Sequence, residues 1–440
     1  MPNYESSPEY RANKLRFARE LEDGHGNTVT DLSTLGGGGV QNPMQADLDA
    51  AGNDITNVGS LDTDEQNNNE INLTRLVEDG TYNDIVHAMV TEPSNHSVPK
   101  RYLIESGTYQ VSTQYTLSKN DVEFVAYGTG QNWIQPVADG GNFPVVLEWT
   151  GTTGGGETML TLGDGANQLE GVRFRGIEFR PETEDAAVTA IHGAGSGTSN
   201  VTQDITFERC AFRRFDTPFS YASRQQNFDW KFMDCGWDIR VNAAVLGGQA
   251  TVFNGYVFAD GTTGLDLYEK SQLWGLKADV SNGATGIAAR ALCDVRPANL
   301  EGDQSAGLVG IEVNHTGGRT QIGGNITSME TAVEVTSGPI MFHATTANIT
   351  GDVINLAGGN NAHNGSVILG VAPTNIAVNS YLQNMAVLGP PADNLAAADV
   401  PPGYIGIDTD RGGTGTDSLV LGQTNSTSAG PWYIDTTGTL

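Results

Sequence analysis

The chain has 440 residues, with 52 acidic against 23 basic residues and a net charge of −29. That length allows a large core and more than one domain, while the acidity argues against nucleic acid, itself a polyanion, as a partner. Three cysteines are too few for a disulfide framework, and no apolar run is long enough to span a bilayer, so membrane insertion is not expected.

In chain order, residues 7–22 read as a helix, with Ser7 as its cap, Pro8 at the first helical position and a partial apolar face from Leu15, Ala18 and Leu21 or Phe17. Arg11, Lys14, Arg16 and Arg19 make it the most basic part of an acidic chain. Such a face suits solvent, or docking on an acidic partner. The start, Met1-Pro-Asn-Tyr-Glu-Ser-Ser, has no apolar stretch of the kind a secretory signal needs, so export through one is not expected. Gly36 to Gly39 form a flexible joint. Residues 62–72 are polar and Asn-rich and read as a loop. Residues 81–91, with Tyr82, Ile85, Val86 and Met89, suit a short helix.

Further on, the chain repeats itself. Leu265, Ile287, Ile311, Val333 and Ile354 each belong to a similar phrase, among them Gly-Leu-Asp-Leu, Gly-Ile-Glu-Val and Ala-Val-Glu-Val. A period near 22 built of short β-type runs and Gly/Asn/Asp turns predicts a solenoid, and the lack of a helical apolar period argues against stacked helices. Upstream, Val172, Phe174, Ile177 and Phe179 are spaced apolar-x-apolar-x-x-apolar-x-apolar. Ile205, Phe207, Cys210 and Phe212 repeat that spacing, as do Trp230, Phe232, Cys235 and Trp237. Alternation puts each half on one face of a strand, and the extra residue marks a corner between two sheets. Stacked in register, these coils predict aromatic on aromatic and Cys on Cys. Cys210 and Cys235 then lie within disulfide range, with a reduced pair of buried thiols the simpler arrangement. An open solenoid end is a sheet edge and needs a cap, a role the helix at 81–91 would fill.

The run from Tyr102 through Tyr115-Thr-Leu-Ser to Gly130, with Gly107-Thr-Tyr-Gln-Val and Val122-Glu-Phe-Val-Ala-Tyr, resembles the first coils of pectate-lyase-like right-handed parallel β-helices. The resemblance spans roughly residues 73–385. It implies the fold and leaves activity open, because enzymes, adhesins and viral tailspikes share the scaffold. Pro43-Met-Gln-Ala-Asp-Leu-Asp-Ala-Ala-Gly-Asn-Asp-Ile-Thr-Asn-Val58 resembles a short segment near the start of many tailed-phage fibres and spikes, with Val58 in place of the usual Leu. There it tends to form an intertwined trimeric element. Finally, with only six Lys among its residues, the chain's acidity resembles that of proteins from extremely halophilic archaea.

Gly151-Thr-Thr-Gly-Gly-Gly-Glu157 and Gly193-Ala-Gly-Ser-Gly-Thr-Ser-Asn200 read as loops projecting from the coils, where recognition usually sits. After Leu388, proline-rich stretches bracket a linker, and Tyr404–Asp408, Ser418–Leu421 and Pro431–Asp435 read as three short strands. The expected fold is therefore all-β: a right-handed parallel β-helix over 73–388, with a helix and hinge at 1–40, a fibre-type segment and linker at 41–72, and a small β module at 389–440.

Catalysis on this scaffold would need paired carboxylates or an acidic Ca²⁺ site with a basic residue. Glu178, Glu182, Glu184 and Asp185 form one acidic cluster, and Asp229, Asp234 and Asp238 another. So acidic a chain produces such clusters by chance, and the Asp-rich signatures of pectin hydrolases and lyases are absent. Asp408-Thr-Asp410…Asp417 lacks the Gly and the bidentate Glu of a Ca²⁺ loop, and the seven His have no paired spacing, so neither metal nor cofactor is expected. Sequons such as those at Asn200, Asn325 and Asn348 are short motifs in an Asn- and Thr-rich chain. Tyr404, Trp432 and Tyr433 are the aromatics best suited to stack on receptor sugars, or else to fill the core of the terminal module.

Together these features suggest a non-enzymatic fibre or spike of a tailed virus of halophilic archaea. It would be located in the virion, attach to other virion proteins through residues 1–60, and meet a host surface glycan or glycoprotein. A homotrimer is expected. The alternatives are a capsid-vertex turret or decoration protein, then pentameric; a polysaccharide-degrading tailspike; and a cellular adhesin.

Overall fold

The computed structural model describes residues 70–98, 100–127, 143–184, 186–358, 363–378, 386–392, 395–396, 399–409, 418–422 and 432–435. The expected helix at 7–22, the Gly joint, the fibre-type segment at 43–58, Asp185, Asp410 and Asp417 lie outside them.

From Glu70 onward the chain winds into a parallel β-helix with three faces. The first face runs from Glu70–Asn72 through Arg101–Glu105, Glu123–Tyr127 and Val172–Arg175 up to Ala386–Leu388. A second runs from Gly107–Val111 to Thr345–Ala347. The third begins at Tyr115–Leu117 and continues up the stack to Ile376–Val378.

Register on the third face matches the 22-residue period. Leu265 pairs with Ile287, Ile287 with Ile311, Ile311 with Val333 and Val333 with Ile354, and Ala244 and Ile376 extend the column at its two ends. The glycine that opens several phrases is a packing requirement. A Cβ on Gly264, Gly286 or Gly310 would come within 2.7, 2.9 and 2.6 Å of the carbonyl oxygen of the next coil.

Inside the first face a single column of apolar side chains passes from Tyr102 through Phe124, Phe174, Phe207 and Phe232, with ring centroids 5.6, 5.5, 5.0 and 5.3 Å apart. It then turns aliphatic at Val252, Leu273, Val295 and Ile322, and ends through Phe342, Ile368 and Val387 on Tyr404. Parallel in-register strands place like on like, and stacked rings add to the burial of their area. Phe179 stacks on Phe212 at 5.2 Å in the same way.

The extra residue in the upstream repeat is a corner in left-handed conformation, occupied in successive coils by Gly176, Arg209, Asp234, Asn254 and Gly275. Each N–H there donates to the next coil, as from Asp234 to Phe253 and from Asn254 to Trp274. Gly, Asn and Asp adopt this conformation at least cost. Cys210 and Cys235 sit just past the corner, both buried and unbridged. Burial pushes the Cys210 thiol up to about 12 and Cys235 well above its ordinary value.

The open end is capped, with one helix more than expected. Leu73–Glu78 (α1) starts on Asn72, which accepts from the Arg75 N–H, and Ile85–Thr91 (α2) starts on Asp84, which accepts from the His87 N–H. Leu73, Ile85, Val86, Ala88 and Met89 are buried in the core, and Tyr115 of the first coil donates to Asp84 at 2.5 Å. Residues 70–72, expected in a loop, instead form the lowest strand. Likewise, Gly154–Gly156, expected in a projecting loop, belong to the strand Gly154–Leu162 on the third face.

At the far end, Tyr404–Asp408, Ser418–Leu421 and Trp432–Asp435 are strands where the sequence predicts them. The first continues the helix by pairing in parallel with Ala386–Leu388. The other two pair antiparallel to it in turn.

Candidate functional site

Of the two predicted acidic clusters, the second is split between two faces, while Glu182 and Glu184 of the first stay together. Asp229 and Asp234 belong to the coil of strand Asn227–Met233, both in left-handed backbone conformation. Asp229 faces Lys231 at 3.4 Å. Asp234, at the corner, accepts from the Asn254 amide at 3.2 Å. The second face instead brings Asp238 to Glu184, because Arg214 donates to both carboxylates.

The coil register explains why. Phe179 pairs with Phe212 and Phe212 with Trp237, so Arg180, Arg213 and Asp238 follow one another on the outer side. Glu148 pairs with Arg180 in the coil below. An alternating ion ladder results. Arg180 donates through Nε and Nη2 to Glu148 at 3.0 and 2.8 Å. Arg213 donates to Glu178 at 3.2 Å, with Arg180 3.7 Å from the same oxygen. Asp238 accepts from Arg214 at 2.9 Å and from Arg240 at 3.1 Å.

Glu178 is only 1% exposed. Burial pushes its carboxyl above the ordinary range, although Arg213 and Arg180 pull the other way. The Arg213 Nε, buried beside it, has no hydrogen-bond partner. Together Glu148, Arg180, Pro181, Glu182, Glu184, Arg213 and Arg214 line a cleft of about 210 Å³. Glu182 and Glu184 stand at its exposed rim. The arrangement holds charge in place: its inner carboxylates are bound by guanidinium groups, a geometry that orders side chains and leaves no free inner base. Sequence reasoning singled out the acids and passed over Glu148, Arg180, Arg213 and Arg214. The repeat carries the missing signal, since aligning Phe179 with Phe212 aligns Arg180 with Arg213.

Tyr404 is fully buried as the last rung of the core column, and its ring lies where a Cβ on Gly389 or Gly406 would fall. It is therefore a core residue, which corrects the expectation of a sugar-stacking surface. In the same sheet Trp432 pairs with Leu421 and Tyr433 with Val420. Asp408 is also buried and accepts from the Leu395 N–H at 3.0 Å. The Asn200 and Asn325 amides are taken up in hydrogen bonds to Ser196 and Asn299. Among the described residues, no group of three or more His, Cys, Asp or Glu is placed to hold a metal ion, and no helix is long and apolar enough to cross a membrane.

One surface feature was not expected. Met233 pairs with Phe253 and Phe253 with Trp274 on the outer side of the first face. Met233 and Phe253 are exposed, while Trp274 is half-buried and donates through Nε1 to Asp294 at 3.4 Å. The Arg296 and Asp294 ion pair borders the stripe above, and the Arg175 and Glu208 pair borders it below.

No family model matches the chain, and no curated protein matches it. Similar solved structures include the A-module of mannuronan C-5 epimerase AlgE6 from Azotobacter vinelandii, at 10% identity and a TM-score of 0.34, covering 74% of this chain and 86% of that one. ORF18 of Geobacillus virus E2 is similar at 12% identity and a TM-score of 0.30, covering 91% of this chain and 72% of that one.

Proposed function

We propose that the chain is a fibre- or spike-type structural protein of a tailed virion, and that it attaches to the host surface without cleaving it. The observation that carries this reading is the stripe of exposed Met233 and Phe253 and half-buried Trp274 on a stack of rigidly registered coils. Aromatic side chains held on such a scaffold can stack on the apolar faces of sugar rings at little entropic cost. The fibre-type segment at 43–58 supports virion attachment through the N-terminal region. The Lys-poor acidity supports a halophilic archaeal host: in dilute salt like charges repel over a Debye length of about 30 Å, which molar salt cuts to about 3 Å. The chain works as a homo-oligomer, a trimer if it is a fibre and a pentamer if it is a vertex turret.

Competition with virus adsorption, using purified protein in molar salt, tests the proposal. Wild-type protein is expected to block adsorption and Phe253→Ala to lose most of that effect. Protein that neither binds cells nor competes would overturn the attachment role and favour the turret. A second reading, a glycan-cleaving spike, draws on the cleft with Glu182 and Glu184 at its rim. Soluble sugar released from host envelopes, and lost in Glu182→Gln, would establish it over the first.

A further inference from the structure

The outer side of the first face changes character near its far end. Leu369 pairs with Leu388, Leu388 with Ile405, and Ile405 with Leu421 across the antiparallel strand, while Ile407 pairs with Leu419. Directly paired residues in a sheet project from the same side, so these six aliphatic side chains form one patch. It is open: Leu388 and Ile405 are each 45% exposed and Ile407 is 42% exposed. The alternate positions, Tyr404, Asp408, Ser418 and Val420, are buried on the opposite, core side. None of the six carries charge, and the flanking Val367 and Ala386 add none.

We propose that this patch is where copies of the chain pack against one another. The inference deepens the homo-oligomeric reading above by naming its surface. A contiguous apolar sheet face of this kind marks an interface, and contacts between identical chains are more apolar than other interfaces. Charge selects the occupant. A chain of net charge −29 repels its own copies, and close contact between them is least opposed where ionisable side chains are absent. Cations to stitch copies together are scarce here, since Arg411 is the only Lys or Arg after Arg319. A basic foreign partner would find its complement elsewhere on the acidic surface.

Light scattering after size exclusion, on the full chain in molar NaCl, tests this. Wild type is expected at a multiple of the 46.5 kDa chain mass. Ile405→Thr/Ile407→Thr, which keeps β-branched residues in the strand, is expected to dissociate to single chains at concentrations at least tenfold above the wild-type midpoint, with its circular dichroism unchanged. Val241→Thr/Leu292→Thr, which alters exposed apolar residues elsewhere, is expected to keep the wild-type mass. An Ile405→Thr/Ile407→Thr variant that keeps the wild-type oligomer overturns the proposal, as does a wild type that stays a single chain at every concentration. Should the double variant misfold, hydrogen exchange of the wild type decides. Strands 404–408 and 418–421 must gain protection as concentration drives assembly, and unchanged exchange there refutes the interface. A single-chain wild type that still blocks adsorption would sink this interface and leave the attachment role standing. An oligomer that does not compete would do the reverse.

Discussion

The coils up to about residue 320 and the coils after it share one backbone path and solve their surfaces in opposite ways. In the lower coils the outer positions carry interleaved acids and arginines, such as Glu70, Arg101 and Glu123, or Glu148, Arg180 and Glu178. The highest ion pair among the described residues joins Arg290 to Glu312. Beyond it the outer first face turns aliphatic. The interior changes lower down, near residue 250, from stacked rings between Tyr102 and Phe232 to aliphatic rungs from Val252 to Ile322, with single rings again at Phe342 and Tyr404. Parallel register amplifies whatever sits at a position, because each residue is its own neighbour one coil away. A like-charged column repels itself, and in the lower coils arginines reach across to the acids of the next coil. Above, the outer first face is uncharged from Val367 on, while on the third face Glu312 pairs directly with Glu334.

The largest expected effect comes from breaking the lower ladder. Arg213→Ala leaves Glu178 buried with less compensation and is expected to cost about 3–5 kcal/mol at neutral pH, read as a shift in the denaturation midpoint in molar salt. Since Glu178 already titrates above the ordinary carboxylate range, its stabilising contribution is full in acid, below its unfolded value, and is lost as pH rises through its folded value. The cost of Arg213→Ala should therefore shrink as pH falls and Glu178 takes a proton, and Glu178→Gln should flatten that dependence. A pH-independent loss would refute the buried-charge account.

Phe207→Ala, which removes the central ring of the lower core, is expected to cost about 3–5 kcal/mol. Ile354→Val, in the upper core, should cost only about 0.5–1.5 kcal/mol. Equal losses at the two sites would erase the distinction between the two interiors. The smallest effect is expected at the exposed first-face ion pairs of Arg101 with Glu70 and Glu123. Arg101→Ala should cost less than about 1 kcal/mol, and less still in molar salt. A loss there as large as that of Arg213→Ala would mean that burial does not set the worth of these ion pairs.

Much of the architecture was legible beforehand, because a solenoid writes its register as a period. The column from Leu265 to Ile354, the corner before Cys210 and Cys235, and the three terminal strands all follow from spacing. The candidate site was far less legible. Glu178 and Asp234 looked alike as acidic residues near coil ends, yet one is a buried outward position clasped by Arg213 and the other an exposed-side corner residue selected for its backbone conformation. Tyr404, at the start of a predicted strand, could as well stack on a sugar as fill the module's core, and Gly389 and Gly406 turn out to make room for its buried ring.

By itself, then, the sequence determined the winding: short alternating runs at a fixed period can bury their apolar halves only by stacking coil on coil. Only the tertiary structure decided which outer side chains meet. Those partners lie a full coil apart in sequence and are brought within hydrogen-bond distance by strand register, as Arg180 is to Glu148 and Arg213 to Glu178. Charge compensation and exposure are set by these lateral neighbours, which no stretch of chain carries within itself.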